Sequence, residues 1–407
     1  MDPRNIQTVL ATEVDKFGAA PMNYAVSRPL LGEGIMNTDG ARWKLSRQFI
    51  NPIFTRAQVS ELSTFEIHVR RMIDRIPRDG STIDLQPLCK ALYLDSTTEF
   101  IFGKSANSLS PETSNVIARR LPEIFDDALR SMLTRFLLSK FKFLARNEKA
   151  WARQCAEVHS IIDNYIEEDI EERKKAVESQ DTPYKYVLLR ELSKATHDKL
   201  FIRNELMNIF FPARDSAAVL TSNAVFLLAR HPNEWNKARD EVLSIGAEKL
   251  TFEKLKSLKC VHHVINETLR MFSPVVRSWK TCLSPAVLPH GGGPLGKDPI
   301  LLEAGDQVDM AFGSMHMDKD IYGSDAHEFK PDRWEGRKQD WGYIPFLGGR
   351  RICPARQNVL TDVSYVLVRL MQEFKACENR DPCHEYLSTQ VFTKESRNGC
   401  KVSFVPA

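Results

Sequence analysis

The stretch Phe346-Leu347-Gly348-Gly349-Arg350-Arg351-Ile352-Cys353-Pro354-Ala355 decides how this chain reads, because its cysteine stands just before a strongly amphipathic run. Val359, Leu360, Val363, Val366, Leu367, Leu370, Met371 and Phe374 recur at three- and four-residue steps, which predicts a helix with one buried face. Cys353 therefore falls near a helix N-terminus, where unpaired backbone N–H groups and the helix dipole favour a thiolate. Gly348 and Gly349 permit a tight turn and a close approach to a flat ligand. Arg351 adds a fixed cation, and Phe346 is placed to pack near the sulfur. Without these neighbours, a lone cysteine beside a helix reads as an inert buried thiol.

The stretch resembles the cysteine-ligand loop of the cytochrome P450 family, F-x-x-G-x-R-x-C-x-G. Four of the five fixed positions match, and Ala355 replaces the last glycine. The resemblance implies haem b, its iron ligated axially by the Cys353 thiolate, which pushes electron density onto the metal and favours O–O cleavage.

Three other segments fit the family in the same chain order. Glu267-Thr-Leu-Arg270 puts a carboxylate and a guanidinium at i and i+3 on one helix face, like the family's E-x-x-R. Alone, that spacing describes an ordinary solvated helix pair. Phe329-Lys-Pro-Asp-Arg333-Trp334 resembles the P-E-R-F segment, so Glu267, Arg270 and Arg333 are expected to form a buried structural triad. Trp43 and Arg47, four apart on a helix predicted from Gly40 to Phe54, resemble W-x-x-x-R, whose side chains bind a haem propionate. Arg42 and Lys44 flank them with positive charge. Lys280 stands where many relatives carry a further propionate-binding arginine; a lysine pairs there as a point charge, without the bidentate fork.

The largest departure is Phe211-Pro212-Ala213-Arg214-Asp215-Ser216-Ala217, which aligns with the long central helix and its [A/G]-G-x-[D/E]-T motif. By resemblance, Asp215 and Ser216 are the catalytic pair that passes protons for oxygen activation. Pro212 removes a helix hydrogen bond and is expected to kink the chain, either opening room for oxygen or damaging the site.

Composition fits a globular enzyme. The 407 residues are 43% hydrophobic and 27% charged, enough to bury a large core. Eight dispersed cysteines without C-x-x-C pairs argue against a disulfide framework and structural zinc, and a net charge of +3 is too small for a nucleic-acid binder. The opening residues lack a signal-peptide pattern, and no run of eighteen apolar residues follows. Compared with microsomal relatives, the chain reads as missing its membrane anchor and part of the small β-domain. Residues Leu129 to Leu144 mix bulky apolar and basic side chains and read as either a lid touching lipid or a core-facing helix.

The expected fold is mainly α with a small β subdomain: one domain over 1–407, with β-rich parts at 291–311 and 390–407. Helices are predicted over 40–54, 57–77, 113–140, 150–178, 199–230, 233–245, 252–272 and 354–376. Strands are predicted at Ile300–Leu302 and Val308–Ala311 with a loop over 290–296, and Asn398-Gly399 signals a hairpin.

Further likeness to fungal members that hydroxylate alkanes and fatty acids implies a monooxygenase drawing NADPH electrons through a flavin-containing reductase, on the cytosolic face of the endoplasmic reticulum or peripheral to it. A haem-thiolate protein that no longer activates oxygen, acting as an isomerase or a remnant, is one alternative. A non-haem helical interaction protein is the other.

Overall fold

A computed structural model describes residues 2–60, 62–110, 116–138, 141, 144–145, 148–176, 187–246, 249–390 and 392–407. The longer helices are α1 (Ala20–Leu31), α2 (Gly40–Ser60), α3 (Leu62–Ile73), α4 (Leu85–Phe102), α5 (Val116–Leu138), α6 (Glu148–Ala176), α7 (Leu188–Ala195), α8 (Lys199–Leu228), α9 (Pro232–Ser244), α10 (Lys259–Phe272) and α11 (Arg356–Glu373). Short strands are interspersed among the helices: β1 (Phe17–Gly18), β2 (Ile83–Asp84), β3 (Ser278–Cys282), β4 (Ala286–Gly292), β5 (Asp298–Leu302), β6 (Gln307–Met310), β7 (Phe374–Asn379), β8 (Ser388–Gln390), β9 (Lys394–Ser396) and β10 (Lys401–Pro406). The chain divides into two compact units, one of residues 1–19, 58–89 and 216–407, the other of 20–57 and 90–215.

The first unit holds the sheets, ordered β1-β3-β6, β2-β10-β7, β4-β5 and β8-β9. The two strands expected either side of the Ala304-Gly305-Asp306 turn do not pair with each other. Leu288 of β4 faces Ile300 of β5, while Lys280 of β3 faces Val308 of β6. The predicted loop at 290–296 is shorter than expected, because β4 runs on to Gly292. Asn398-Gly399 turns the chain, with Gly399 at φ 78°, but makes no hairpin. β10 pairs instead with β2 and β7, and β9 with β8, since longer-range partners bury Val402 and Phe404 completely.

In this unit α9 and α11 pack with β7 and with α10. Trp235 Nε1 donates to the Lys375 carbonyl (3.0 Å), and Glu241 Oε2 accepts from the Cys260 N–H (2.9 Å) at the start of α10. A second apolar cluster joins Ile6, Val9, Leu10, Phe17, Met310, Phe312, Met315 and Ile344. It braces the segment entering the cysteine loop.

The second unit is helical. Phe102 stacks on Tyr165 (4.5 Å), and Phe125 meets Phe210 edge-on (5.0 Å), joining α4, α5, α6 and α8. The turn after α1 lies against α8, where Asn208 Nδ2 donates to the Leu31 carbonyl (2.9 Å) and its Oδ1 accepts from the Met36 N–H (3.1 Å). A Cβ on Gly34 would lie 2.4 Å from that side chain, so only glycine fits. Of the basic and apolar stretch from Leu129 to Leu144, Ser139, Lys140, Lys142 and Phe143 lie outside the described residues. Leu137 and Phe141 are exposed.

Candidate functional site

The cysteine loop is built from backbone constraints. Leu347 (φ 60°) and Gly349 (φ 63°) both adopt the left-handed region, which reverses the chain before a short 3₁₀ turn over Gly349–Arg351. A Cβ on Gly349 would lie 1.9 Å from the Leu10 carbonyl oxygen, and one on Gly348 would lie 2.5 Å from the Trp341 ring. The Cys353 N–H then donates to the Phe346 carbonyl (3.0 Å), closing the loop. Helix α11 follows at Arg356 without a side-chain cap. Residues 351–360 are all partly exposed, Val359 and Leu360 among them, whereas most of α11 from Thr361 onward is buried. Cys353 thus lies in a partly exposed stretch that mixes Ile352, Val359 and Leu360 with Arg351, Arg356, Gln357 and Asn358.

Beside this loop in the same unit, Glu267 and Arg270 are both fully buried. Arg270 Nη2 and Nε donate to the two Glu267 oxygens at 2.7 and 2.8 Å. Arg333 Nε donates to Glu267 Oε1 (3.3 Å), so the three predicted residues meet. Trp334 Nε1 (3.0 Å) and the Lys330 N–H (3.1 Å) complete the shell of Glu267. Arg333 also bonds Asp325 Oδ1 (2.7 Å), and this guanidinium together with Lys330 holds the Asp325 carboxyl down at about 2. Lys280 is buried on β3. Arg350 pairs with Asp15 (2.9 Å), and Arg356 bonds Gln339 (2.6 Å) with its guanidinium over the Phe346 ring.

In the second unit, Trp43 and Arg47 are partly exposed one turn apart on α2. Arg42, expected as a flanking surface charge, instead bonds the Glu33 carbonyl (2.6 Å), lies over the Phe201 ring and approaches Glu205 (3.5 Å). Glu205 is fully buried; it accepts from Ser46 Oγ at 2.6 Å, and among the described residues its Oε2 has no hydrogen-bond partner. Burial pushes its carboxyl up to about 7, against the opposing pull of Ser46 and Arg42.

Helix α8 carries Asp215 and Ser216. The kink expected at Pro212 does not interrupt it: α8 runs unbroken from Lys199 to Leu228. Pro212 still offers no N–H to the Asn208 carbonyl. Pro212, Ala213, Asp215 and Ser216 are partly exposed on a helix otherwise mostly buried. The Asp215 carboxylate is gripped by its neighbour, with Arg214 Nε and Nη2 donating at 3.0 and 3.1 Å, and Arg214 also pairs with Asp126 of α5.

The cytochrome P450 family model matches residues 1–402. The chain belongs to the cytochrome P450 family. It is similar to the cytochrome P450 monooxygenase apdE of Emericella nidulans, 34% identical over 99% of this chain and 78% of that protein. It is also similar to cytochrome P450 52A3-A of Candida maltosa, 38% identical over 94% of this chain and 76% of that protein. The solved haem domain of cytochrome P450DA superposes with TM-score 0.81 at 20% identity, covering all of this chain and 85% of that one, which shows the fold. This P450 is therefore an oxidoreductase of the monooxygenase type, in a family whose haem carries a cysteine thiolate.

The residues present fit that group. A sulfur donor, a loop kept free of side-chain bulk at Gly348 and Gly349, and partly exposed apolar residues around it at Ile352, Val359 and Leu360 suit a flat, thiolate-ligated ligand. Sequence reasoning missed His316, Asp325 and Glu205. The first two are single residues scattered through a meander without periodicity. Glu205 sits in an apolar helix, where an unaccompanied acid was the available signal. No described helix is long and apolar enough to cross a membrane.

Proposed function

We propose that this P450 inserts one oxygen atom from O₂ into a C–H bond of a hydrophobic substrate, with Cys353 as the thiolate that would hold the haem iron. Two electrons from NADPH, delivered by a flavin reductase, and two protons balance the reaction, giving an alcohol and water. The observation that supports this reading best is the Cys353 loop itself, a partly exposed thiol on a backbone fixed by the Phe346 carbonyl and the Leu10–Gly349 contact. Bound there, the haem supplies dioxygen activation.

This chain's residues do the rest. Arg351 beside the thiolate, and on α2 the indole N–H of Trp43 and the guanidinium of Arg47, offer donors suited to propionate carboxylates. Lys280 adds a buried cation on β3. Asp215 and Ser216, on the accessible side of α8, hold and pass protons. The likeness to fungal hydroxylases favours an alkane, a fatty acid or a fungal secondary metabolite as substrate, and the cytosolic face of the endoplasmic reticulum as location. The carbon monoxide adduct of the reduced protein tests the reading: a strongly red-shifted Soret band is expected, and its retention in Cys353→Ser excludes Cys353.

The Arg214 grip on Asp215 favours a second reading, a haem-thiolate protein that no longer activates oxygen. NADPH-driven product formation with a reductase separates the two.

A further inference from the structure

Three consecutive residues leading into the cysteine loop are each tied down by a side chain. Tyr322 Oη donates to the Gly342 carbonyl (2.9 Å), Tyr343 Oη donates to the Asn266 carbonyl (3.0 Å), and the Ile344 N–H donates to His316 Nε2 (3.0 Å). The last bond is the informative one. His316 is fully buried, its ring lying near those of Phe312 (5.8 Å) and Tyr343 (5.4 Å). Since Nε2 accepts, the ring proton resides on Nδ1, which is buried without a hydrogen-bond partner among the described residues. Burial, with the nearby Arg270 cation, pushes the imidazole down to about 3, so it stays a neutral acceptor across the physiological range.

His316 also faces the ion triad. Arg270 Nη1 donates to the His316 backbone carbonyl at 2.9 Å. One residue thus takes the triad's guanidinium on its main chain and the loop's amide on its ring. Two residues past Ile344 lies Phe346, whose carbonyl receives the Cys353 N–H at 3.0 Å.

We propose that His316 is a positioning residue for the Cys353 thiolate, registering the loop to the Glu267–Arg270 pair through the Ile344 amide. The proposal rests on the reading of Cys353 as axial ligand. A histidine that only fills the core is replaceable by another flat ring. One that supplies an acceptor is not, because Ile344 is 5% exposed and its N–H has no water to turn to.

The test compares His316→Phe, which keeps the ring and loses the acceptor, with His316→Gln, whose amide oxygen can take the place of Nε2. In the reduced carbon monoxide adduct, His316→Phe should raise the share of the short-wavelength, thiolate-lost form about tenfold, the penalty expected of one unsatisfied buried donor. His316→Gln should restore the parent spectrum. A haem-loaded His316→Phe with the parent's spectrum overturns the proposal, and so does equal loss of helical circular dichroism in both variants, which marks plain packing. A misfolded Phe variant beside an intact Gln variant supports the acceptor. Amide exchange supplies a readout independent of haem: Ile344 should be strongly protected in the parent, and fast exchange there overturns the proposal. If the parent lacks the red-shifted band, or Cys353→Ser keeps it, the axial-ligand reading fails, while Ile344 protection still reports on His316.

Discussion

Glu267 and Arg270 lie one helical turn apart on α10, both without solvent exposure, and meet in a two-pronged ion pair at 2.7 and 2.8 Å. Arg270 is also consumed by the His316, Ala326 and Glu328 carbonyls, and Glu267 by Arg333, Trp334 and the Lys330 amide. Every lone pair and proton is spoken for, the condition under which a buried pair repays its desolvation. Its effect is to bind α10 to the meander that precedes the cysteine loop.

Removing one partner leaves the other charged and buried, at roughly 3–5 kcal/mol. Glu267→Ala should therefore give protein that does not retain haem on gel filtration and melts well below the parent. Glu267→Gln keeps an acceptor for Trp334 and should fall between them. A stable, haem-loaded Glu267→Ala enzyme altered only in substrate range would contradict the structural role.

Gly349 offers a sharper backbone test. Its φ of 63° disfavours any side chain, and a Cβ would press on the Leu10 carbonyl oxygen at 1.9 Å. Gly349→Ala should cost about 1–3 kcal/mol in strain alone, and relief of the contact must shift the loop. We expect a red-shifted carbon monoxide band strongly reduced relative to the parent, with helical circular dichroism retained. A parent-like band would mean that Leu10 moves away freely.

The loop was readable from sequence because its constraints are local: glycines at a turn, then an amphipathic helix. Glu267 and Arg270 were readable as a spacing, and Arg333 only through its neighbours Pro331 and Trp334. Helix α4 gave no signal, since Leu94, Ile101 and Phe102 are buried along with Asp95, Thr97 and Thr98 and no polar stripe survives. Helix α1 was not among the predicted helices; of its two prolines, Pro21 sits at the start of the helix, where its missing N–H costs nothing, and Pro29 in its last turns. Arg42 read as surface charge because its partner Glu205 lies more than 150 residues away on α8. Contacts of that range leave no periodic trace.

Glu205 should leave a mark on stability as pH changes. Its folded value near 7 lies above the roughly 4.3 of an unfolded glutamate, so the native state binds the extra proton between those limits. Stability attributable to Glu205 is then present below about pH 4 and lost as pH rises through about 7. Histidines held down by burial, such as His316, slope the other way, so the comparison needs a variant. Glu205→Gln should flatten the fall in urea midpoint between about pH 5 and 8, with the largest gain over the parent at the alkaline end. Parallel curves for parent and variant would show that Glu205 titrates normally.

The proposed proton path through the partly exposed stretch of α8 can be tested directly. Asp215 is held by Nε and Nη2 of Arg214, which fixes the carboxylate in place, while Ser216 next to it is accessible and lacks the methyl group that restricts a threonine rotamer. A hydroxyl with more rotamers delivers protons less selectively and wastes reducing equivalents as peroxide. Ser216→Thr should accordingly raise product formed per NADPH consumed, measured with peroxide in the same reaction. Ser216→Ala and Asp215→Asn should lower turnover, by the roughly 10²-fold or more typical of a lost proton-transfer group. If all three match the parent in rate and coupling, the protons travel by another route, and the pairing of Arg214 with Asp215 and Asp126 is an anchor between α5 and α8 rather than part of a relay.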